Sequence, residues 1–238
     1  MISLLHSSSD SDKILFLTME GNIGVGKSTL MSHLKQIFAS HPVIFIDEPV
    51  KEWEDAGLLQ AMYDRNLAPA FFQYAALGSI VSHTLAAINS APPGTKLFIA
   101  ERSMHSNLLV FGKASLSERI EKRALEYVWN HLMTVLPSNI VYQRILLKAF
   151  PGTCLSRIRH RARASESSIH IAYLEKLHDL HGIWMAEESV LDPVPSGVWR
   201  IVDAEQDQAA LLAQTAALVM DLLASVKPWN GIWFTSHK

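Results

Sequence analysis

The residues from Gly21 to Ser28, Gly-Asn-Ile-Gly-Val-Gly-Lys-Ser, match the phosphate-binding pattern G-x-x-x-x-G-K-[ST]. Glycines let the backbone curl until successive N–H groups point at one anion, and a helix start behind them adds positive charge. Lys27 is expected to reach the β- and γ-phosphates, and the Ser28 hydroxyl to bind Mg²⁺. The motif predicts a bound nucleoside triphosphate but leaves the phosphate acceptor open. The predicted phosphate-binding residues are Gly21, Asn22, Ile23, Gly24, Val25, Gly26, Lys27, Ser28 and Thr29.

Two glutamates follow predicted strands and have the chemistry that phosphoryl transfer needs. Glu48 follows the apolar run Val43–Asp47, and Glu101 follows the next predicted strand. Because ligands bind at the carboxyl ends of parallel strands, both side chains are expected beside the phosphate loop. One carboxylate would hold Mg²⁺ and the other would accept a hydroxyl proton, with Arg102 pairing with a carboxylate or stabilising the moving group. Asp47 is a weaker candidate than Glu48 for these roles. Side chains alternate along a strand, so the Asp47 side chain is expected on the opposite face of the sheet.

Four arginines lie close together between positions 157 and 163, and the next acid is Glu166. On an α-helix, Arg157 and Arg161 would share one face, while Arg159 and Arg163 would share another. Arginines without nearby acids favour an anion, so this segment is predicted to close over a triphosphate as a lid. A nucleic-acid-binding patch and an ordinary basic surface are the alternatives.

Apolar runs and helical patterns alternate along the chain and predict how these side chains are held. Strands alternating with helices, joined by right-handed crossovers, predict an α/β fold. We expect a three-layer sandwich in which a five-stranded parallel sheet carries helices on both faces. The strands are predicted at Ile14–Met19, Val43–Asp47, Leu97–Ala100, Arg144–Leu147 and Trp199–Val202. The helices are predicted near Ser28–Phe38, Pro69–Asn89, Ser117–Leu136, Gly152–Ala164, Ile169–Glu188 and Ala209–Val226.

The composition limits the class of protein. The chain has 238 residues, of which 49% are hydrophobic, and this suits one domain with a full core. A net charge of −2 argues against a nucleic-acid-binding surface, and the lone Cys154 excludes an internal disulfide and a cysteine-based zinc site. Residues 1–12 are expected to form a loose polar tail, and residues 13–238 a single domain with its lid at about 157–168.

No segment is predicted to target the chain to a membrane or to cross one. Met1–Lys13 lacks the charged start and the long apolar core of a signal peptide. The most apolar later stretch, Ala209–Val226, contains Gln214, Thr215 and Asp221, and this indicates an amphipathic packing helix. We therefore expect a cytoplasmic protein, which also suits a chain with one cysteine.

Six motifs occur together in this chain. They are Gly21-Asn-Ile-Gly-Val-Gly-Lys-Ser-Thr29, Glu48-Pro-Val-Lys-Glu-Trp53, Phe72-Gln73, Glu101-Arg-Ser103, Arg157-Ile-Arg-His-Arg-Ala-Arg-Ala-Ser-Glu166 and Tyr173-Leu-Glu-Lys-Leu-His178. In combination they resemble the deoxynucleoside kinase family: deoxycytidine, deoxyguanosine and mitochondrial-type thymidine kinases and the insect multisubstrate enzyme. The resemblance implies a P-loop kinase fold, a deoxynucleoside acceptor, ATP as donor, Mg²⁺, and a role in nucleotide salvage for DNA synthesis. It also implies a homodimer, expected through the helices near Pro69–Asn89 and Ser117–Leu136.

The same resemblance implies roles for the residues that carry the chemistry. Glu48 is similar to the general base on the nucleoside 5′-hydroxyl, with Arg102 beside it and Lys27 on the phosphates. Glu101 and Ser28 resemble the Mg²⁺ side of the site. Arg161 and Arg163 are similar to lid arginines on the phosphates, and Arg157 to an arginine on the adenine side, with the adenine loop at Asp203-Ala-Glu-Gln-Asp207.

The resemblance also implies a nucleoside pocket. Tyr63 and Glu166 resemble the pair that holds the sugar 3′-hydroxyl, although Ser165 replaces the first acid of the family's acidic pair. Gln73 resembles the reader of the base edge, because an amide offers both a donor and an acceptor and can flip. The residues expected to line or stack on the base are Trp53, Phe72 and Phe111.

Two positions of the expected base pocket depart from the deoxycytidine-type pattern. Those kinases have an arginine and an aspartate where this chain has Ile80 and Asn107. Ile80 removes a charge and leaves space for a 5-methyl group, so thymidine is expected to be favoured, with deoxycytidine also accepted. Asn107 is expected to add a hydrogen bond to the base.

Two alternative functions remain at this stage. A thymidylate-type nucleoside monophosphate kinase would share the phosphate loop and an arginine lid, but it needs extra cations near its phosphorylated acceptor. A nucleotide-binding relative without catalysis usually loses the lysine, the base or the metal carboxylate, and this chain retains them all.

Overall fold

The computed structural model of this protein describes residues 13–191 and 199–228. Five strands form one sheet within these residues: β1 (Ile14–Gly21), β2 (Val43–Ile46), β3 (Leu97–Glu101), β4 (Ile140–Lys148) and β5 (Trp199–Asp203). Their order across the sheet is β2-β3-β1-β4-β5, and every neighbouring pair is parallel. The predicted five-stranded parallel α/β fold is therefore confirmed.

The central strand β1 is buried along its whole length. A strand that is covered on both faces reads as a continuous apolar run, which is why this segment was recognisable in the sequence. Alternate side chains enter different cores: Ile14 and Phe16 face one core, and Leu17 and Met19 face the other. Phe16 also stacks on Phe98 of β3, with ring centroids 4.9 Å apart.

Helices cover both faces of the sheet. The helices are α1 (Lys27–Ile37), α2 (Val50–Asp55), α3 (Leu58–Tyr63), α4 (Pro69–Ser90), α5 (Met104–Ser106), α6 (Lys113–Ser115), α7 (Arg119–Met133), α8 (Pro151–Arg161), α9 (Ile171–Leu191) and α10 (Gln208–Ser225). Side chains of α1, α8, α9 and α10 pack into the core that contains Leu17. Side chains of α2, α3, α4 and α7 pack into the core that contains Phe16. This arrangement gives the expected three layers.

Several short elements were not predicted from the sequence. Helices α2, α3, α5 and α6 span only three to six residues, too few for a helical period to be recognised. Between α5 and α6, Asn107–Gly112 forms a π-helical segment, a form that often marks functional sites. Helix α7 begins at Arg119, two residues later than predicted, because Glu118 and Glu121 form a reciprocal capping box there.

Two sequence predictions concern the first residues of the chain and membrane-spanning helices. The expected polar tail at 1–12 lies outside the described residues. Among the described residues, α4 and α10 are long and apolar enough to span a bilayer by length and composition. Helices that pack in the core of a globular protein pass the same test, and both contribute buried side chains to the cores.

Candidate active site

The phosphate loop joins β1 to α1, and two of its glycines are required by its shape. Gly21 has φ +136°, and a Cβ there would lie 2.5 Å from the Leu147 carbonyl oxygen. Gly24 has φ +76°, and a Cβ there would lie 2.5 Å from the carbonyl oxygen of Cys154 in α8. Both positions combine a left-handed backbone with close approach of another segment, so only glycine fits them without strain.

Lys27 is folded back against the loop that it follows. Its Nζ donates to the Gly21 carbonyl oxygen at 3.3 Å and to the Asn22 carbonyl oxygen at 3.0 Å. Burial, followed by the positive charge of Arg102, lowers the pKa of Lys27 to about 8. The ammonium group is therefore still charged at neutral pH and stands at the mouth of the phosphate-binding loop.

Ser28 and Glu101 meet beside this loop. The Ser28 hydroxyl donates to Glu101 Oε1 at 2.7 Å, although the two residues are 73 positions apart. Burial, followed by the nearby Glu48 carboxylate, raises the pKa of Glu101. A hydroxyl oxygen and a carboxylate oxygen are ligands that suit Mg²⁺, which takes one or two protein oxygens and completes its shell with phosphates and water. The described residues contain no cluster of three or more His, Cys, Asp or Glu side chains that could hold a metal ion.

Glu48 is held by Arg102 across the site. Arg102 Nε donates to Glu48 Oε1 at 2.8 Å, and its Nη1 donates to the Gly21 carbonyl oxygen at 3.2 Å. The Arg102 guanidinium also lies 4.3 Å from the centre of the Phe111 ring. Arg102 has φ 73°, a strained value for a residue with a side chain. These contacts point the Glu48 carboxylate into the site, whereas Asp47 lies at the surface and pairs with Lys35.

Arg157 ties the phosphate loop to the segment after β5. Its Nη1 donates to the Val25 carbonyl oxygen at 2.9 Å, and its Nη2 donates to the Ala204 carbonyl oxygen at 2.8 Å. Ala204 and Gln206, from the predicted adenine loop, line the same cavity as the phosphate loop. Arg157 therefore lies at the boundary between the loop and this second segment.

The arginine-rich segment differs from its prediction in two respects. Helix α8 ends at Arg161, because Ala162 is left-handed with φ 53°, so Arg163 lies beyond the helix and shares no helical face with Arg159. The arginines are also not free of acids, because Arg161 and Arg163 both bond the carboxylate of Glu166. The sequence did not indicate that Arg161 and Arg163 bond Glu166. The turn that brings Glu166 back to these arginines begins only after α8 ends.

A glutamate of α2 joins the same cluster. Arg163 Nε lies 3.3 Å from Glu54 Oε1, and the Ser165 hydroxyl donates to that oxygen at 2.7 Å. Tyr63 and Glu166 line the same cavity, and burial, followed by the charges of Tyr173 and Glu166, raises the pKa of Tyr63 well above its usual value. The end of the arginine-rich segment is thus bonded to the helix that follows Glu48.

Four of the residues expected in the base pocket contact one another in pairs, whereas Phe111 faces Arg102. The Trp53 indole N–H donates to the Ser79 hydroxyl at 2.9 Å, and the Trp53 ring meets Phe72 edge-on with centroids 5.4 Å apart. Gln73 and Asn107 are both buried, and Asn107 Nδ2 donates to Gln73 Oε1 at 2.9 Å. These pairs combine aromatic surface with two amides.

One cavity of about 360 Å³ gathers most of the predicted residues, and its volume suits a small-molecule site. Gly21 and Asn22 do not line it, because they form the base of the loop. The predicted residues that line it are Ile23, Gly24, Val25, Gly26, Lys27, Ser28, Thr29, Glu48, Trp53, Tyr63, Phe72, Gln73, Ile80, Glu101, Arg102, Asn107, Phe111, Arg157, Arg161, Arg163 and Glu166.

Glu20 is a buried acid of this region that the sequence analysis missed. It is the last but one residue of β1, it is fully buried, and its carboxylate oxygens have no hydrogen-bond partner among the described residues. Its negative charge favours the protonated forms of Lys27 and Arg102. The sequence could have indicated Glu20, because it is an acid near the end of an otherwise apolar strand, and buried acids are rare without a charged neighbour.

Comparison with known proteins agrees with this geometry. The family model described as deoxynucleoside kinase matches residues 17–221. The chain is 29% identical over 215 residues to deoxycytidine kinase of Bos taurus, covering 77% of this chain and 80% of the relative. It is 27% identical over 219 residues to mitochondrial deoxyguanosine kinase of Xenopus laevis, covering 79% of each. A probable deoxycytidine kinase of fowlpox virus is 26% identical over 224 residues, covering 87% of this chain and 88% of the relative. The match includes the phosphate loop, the arginine-rich segment and all of the sheet except the first three residues of β1, and the chain belongs to the deoxynucleoside kinase family.

Proposed function

We propose that this deoxynucleoside kinase transfers the γ-phosphoryl group of ATP to the 5′-hydroxyl of pyrimidine deoxynucleosides, thymidine included. One observation carries the proposal: the Glu48–Arg102 pair, joined at 2.8 Å, lines the same cavity as the phosphate loop. A carboxylate at this place can accept a hydroxyl proton, and a loop of this kind presents a terminal phosphate. The cavity thus brings a candidate proton acceptor and a phosphate-binding loop to one place.

The reaction that we propose proceeds by direct displacement. Glu48 accepts the proton of the 5′-hydroxyl while the hydroxyl oxygen bonds the γ-phosphorus, and the bond to the bridging oxygen breaks to release ADP. Lys27, Arg161 and Arg163 balance the charge on the phosphates. Ser28 and Glu101 would hold Mg²⁺, which neutralises phosphate charge when bound.

The acceptance of thymidine rests on the wall around Ile80. This side chain lines the cavity and is buried and uncharged, so a 5-methyl group meets an apolar neighbour. The relatives named above are deoxycytidine and deoxyguanosine kinases, so both pyrimidine substrates belong in the test.

A rate comparison tests the proposal. Purified protein with saturating ATP and Mg²⁺ is assayed with the four deoxynucleosides and with thymidylate. We expect turnover of deoxycytidine and thymidine and none of thymidylate, because Arg102 already bonds Glu48 at the acceptor end. Turnover of none of the four deoxynucleosides would contradict the proposal. Faster turnover of thymidylate than of thymidine would favour a nucleoside monophosphate kinase.

We extend the proposal to a cytoplasmic homodimer. Large apolar side chains are exposed on the two helices from which a dimer is expected: Phe71 on α4, and Ile120 and Tyr127 on α7. Ile120 and Tyr127 are seven residues apart and therefore lie on one helical face. A second copy of the chain would cover this surface, and the free, buried thiol of Cys154 suits a reducing compartment.

A further inference from the structure

The first turn of α8 receives a carboxylate from a distant part of the chain. Phe150 precedes this helix without a capping side chain, and the first turn of α8 contains no acid. Glu205, which follows β5, supplies one: its Oε1 accepts from the Phe150 backbone N–H at 2.7 Å, and its Oε2 accepts from the Thr153 hydroxyl at 3.1 Å. The positive end of a helix favours such an acid. Glu205 therefore ties the segment after β5, residues 204–206, to the beginning of α8.

The residues on either side of Glu205 line the cavity that contains the phosphate loop. Ala204 and Gln206 both contribute to its wall, whereas Glu205 does not. Ala204 is fully buried, its N–H donates to the Lys148 carbonyl oxygen at 2.8 Å, and its carbonyl oxygen accepts from Arg157 Nη2 at 2.8 Å. Glu205 thus bonds α8 while its two neighbours face a bound ligand.

Helix α8 also contacts the phosphate loop. Arg157 Nη1 donates to the Val25 carbonyl oxygen at 2.9 Å, and the Cys154 carbonyl oxygen lies 2.5 Å from the place that a Cβ on Gly24 would take. One helix is therefore bonded to Glu205 at its beginning and to the phosphate loop further along. Because a helix has a fixed rise per residue, α8 sets the separation between the phosphate loop and the segment after β5.

The order of the strands indicates which substrate meets this segment. The phosphate loop follows β1 in the centre of the sheet, Glu48 and Arg102 follow β2 and β3 on one side, and residues 204–206 follow β5 on the other. A phosphoryl group that is transferred at the loop must face Glu48, the proposed proton acceptor. The rest of the triphosphate then extends toward β5, so the segment after β5 faces the nucleoside part of the donor.

This segment depends on its bonds for a defined shape. Residues 204–206 belong to no helix or strand. A segment of this kind loses conformational freedom when a ligand orders it, and that loss weakens binding. The Glu205 carboxylate orders it beforehand through α8, and the Glu205 N–H adds a bond to Asp203 Oδ1 at 2.8 Å.

We propose, on the basis of the function proposed above, that Glu205 is a positioning residue for the phosphate donor. By bonding the first turn of α8, it holds Ala204 and Gln206 beside the nucleoside part of the donor triphosphate, without touching the donor itself. Loss of Glu205 weakens binding of the nucleoside part. The phosphates are bound as before, because Lys27 and the phosphate loop hold them.

The test separates the two ends of the donor. Calorimetry with Mg²⁺ measures the Kd of the native enzyme and of Glu205→Ala for ATP and for inorganic tripolyphosphate, which has three phosphates but no base or sugar. We expect the Kd for ATP to rise by about three- to tenfold, the effect of one or two lost hydrogen bonds. The Kd for tripolyphosphate should stay unchanged. An unchanged Kd for ATP, or an equal rise for both ligands, would overturn the inference.

Steady-state kinetics give a second readout. In Glu205→Ala the KM for ATP should rise, while kcat and the KM for the deoxynucleoside stay unchanged. Glu205→Gln keeps an oxygen that can accept from the Phe150 N–H, so its KM for ATP should lie closer to the native value than to that of Glu205→Ala.

The control for a general loss of stability is Glu118→Ala. This change removes a glutamate that caps the beginning of α7. It should lower the melting temperature by a similar amount and leave the KM for ATP unchanged, and an equal rise in that KM would overturn the inference. A native enzyme that binds ATP but phosphorylates no deoxynucleoside would contradict the proposed function and leave the comparison of ATP with tripolyphosphate intact.

Discussion

Arg102 shows how one residue fixes the side chains around Glu48. Its guanidinium bonds Glu48 and the Gly21 carbonyl oxygen and faces the ring of Phe111, while its own backbone is in a left-handed conformation. Strain of this kind costs of order 1–3 kcal/mol and persists only where surrounding contacts enforce it. The contacts of Arg102 are of that kind, and they fix the carboxylate of Glu48 in one direction.

The role of Glu48 leads to a prediction at the scale of one residue. In Glu48→Gln the amide keeps the shape of the side chain but cannot accept the proton, so kcat should fall by roughly 10²–10⁴-fold with little change in KM. Steady-state kinetics with the best deoxynucleoside measures both values. The control is Asp47→Asn, since Asp47 is exposed and pairs with Lys35, and it should leave both values unchanged. A loss in KM as large as that in kcat would contradict a role as general base.

The phosphate loop illustrates the scale of the element. Its path is determined by contacts with β4 and α8 as well as by its own sequence, because Gly21 and Gly24 approach the carbonyl oxygens of Leu147 and Cys154. The arginine-rich segment, the predicted lid, behaves similarly, since Arg161 and Arg163 bond Glu166 and Arg163 also pairs with Glu54. These elements acquire their functional shape through partners that are distant in the chain.

A glycine substitution tests the loop as an element. In Gly24→Ala the added Cβ would lie 2.5 Å from the Cys154 carbonyl oxygen at a φ of +76°, so the loop must shift. We expect a large increase in KM for ATP and a lower melting temperature, measured by kinetics and thermal unfolding. Gly78→Ala is the matched control, because a Cβ there meets nothing within 4 Å and α4 continues through this position. This control should gain about 0.5–1 kcal/mol of stability. Normal ATP kinetics in Gly24→Ala would show that the loop tolerates the shift.

At the scale of the whole molecule, two buried histidines couple stability to pH. Burial, followed by the charge of Arg144, lowers the pKa of His105 to about 3, and burial, followed by the charge of Arg102, lowers that of His181 to about 3. An unfolded chain binds a proton at each histidine near pH 6.5. Between these pH values the unfolded state holds more protons than the folded state, so stability falls as the pH falls.

Denaturant unfolding at several pH values measures this effect. Below pH 6.5 the free energy of unfolding should decrease by about 1.4 kcal/mol per pH unit for each histidine, and above pH 6.5 this contribution should be constant. His105→Phe should reduce the slope by one histidine's share, because the ring still packs against Tyr142 and Trp129. His131→Gln is the control, since His131 is exposed. An unchanged slope in His105→Phe would refute this assignment.

The assembly state is the second property of the whole molecule. Ile120 and Tyr127 are 71% and 65% exposed on one face of α7, and burying them against a second copy would remove them from water. Light scattering should give twice the mass of the chain, and Ile120→Glu with Tyr127→Glu should give the mass of one chain. Met220→Glu, on the exposed face of α10, serves as the control and should leave the dimer intact. A native protein with the mass of one chain would contradict the dimer.

The sequence by itself determined the phosphate loop, the five strands and the family, because these depend on local spacing and on continuous apolar runs. It also indicated Glu48 and Glu101, since residues after parallel strands must meet at one edge of the sheet. Only the tertiary structure decided that Asn107 bonds Gln73 across 34 positions, that Glu54 bonds the lid, and that Arg161 and Arg163 have acid partners. Pairs of residues that are this far apart produce no periodic pattern in the sequence. They depend on the order of the strands and on where a helix ends, and these bring together side chains that are distant in the chain.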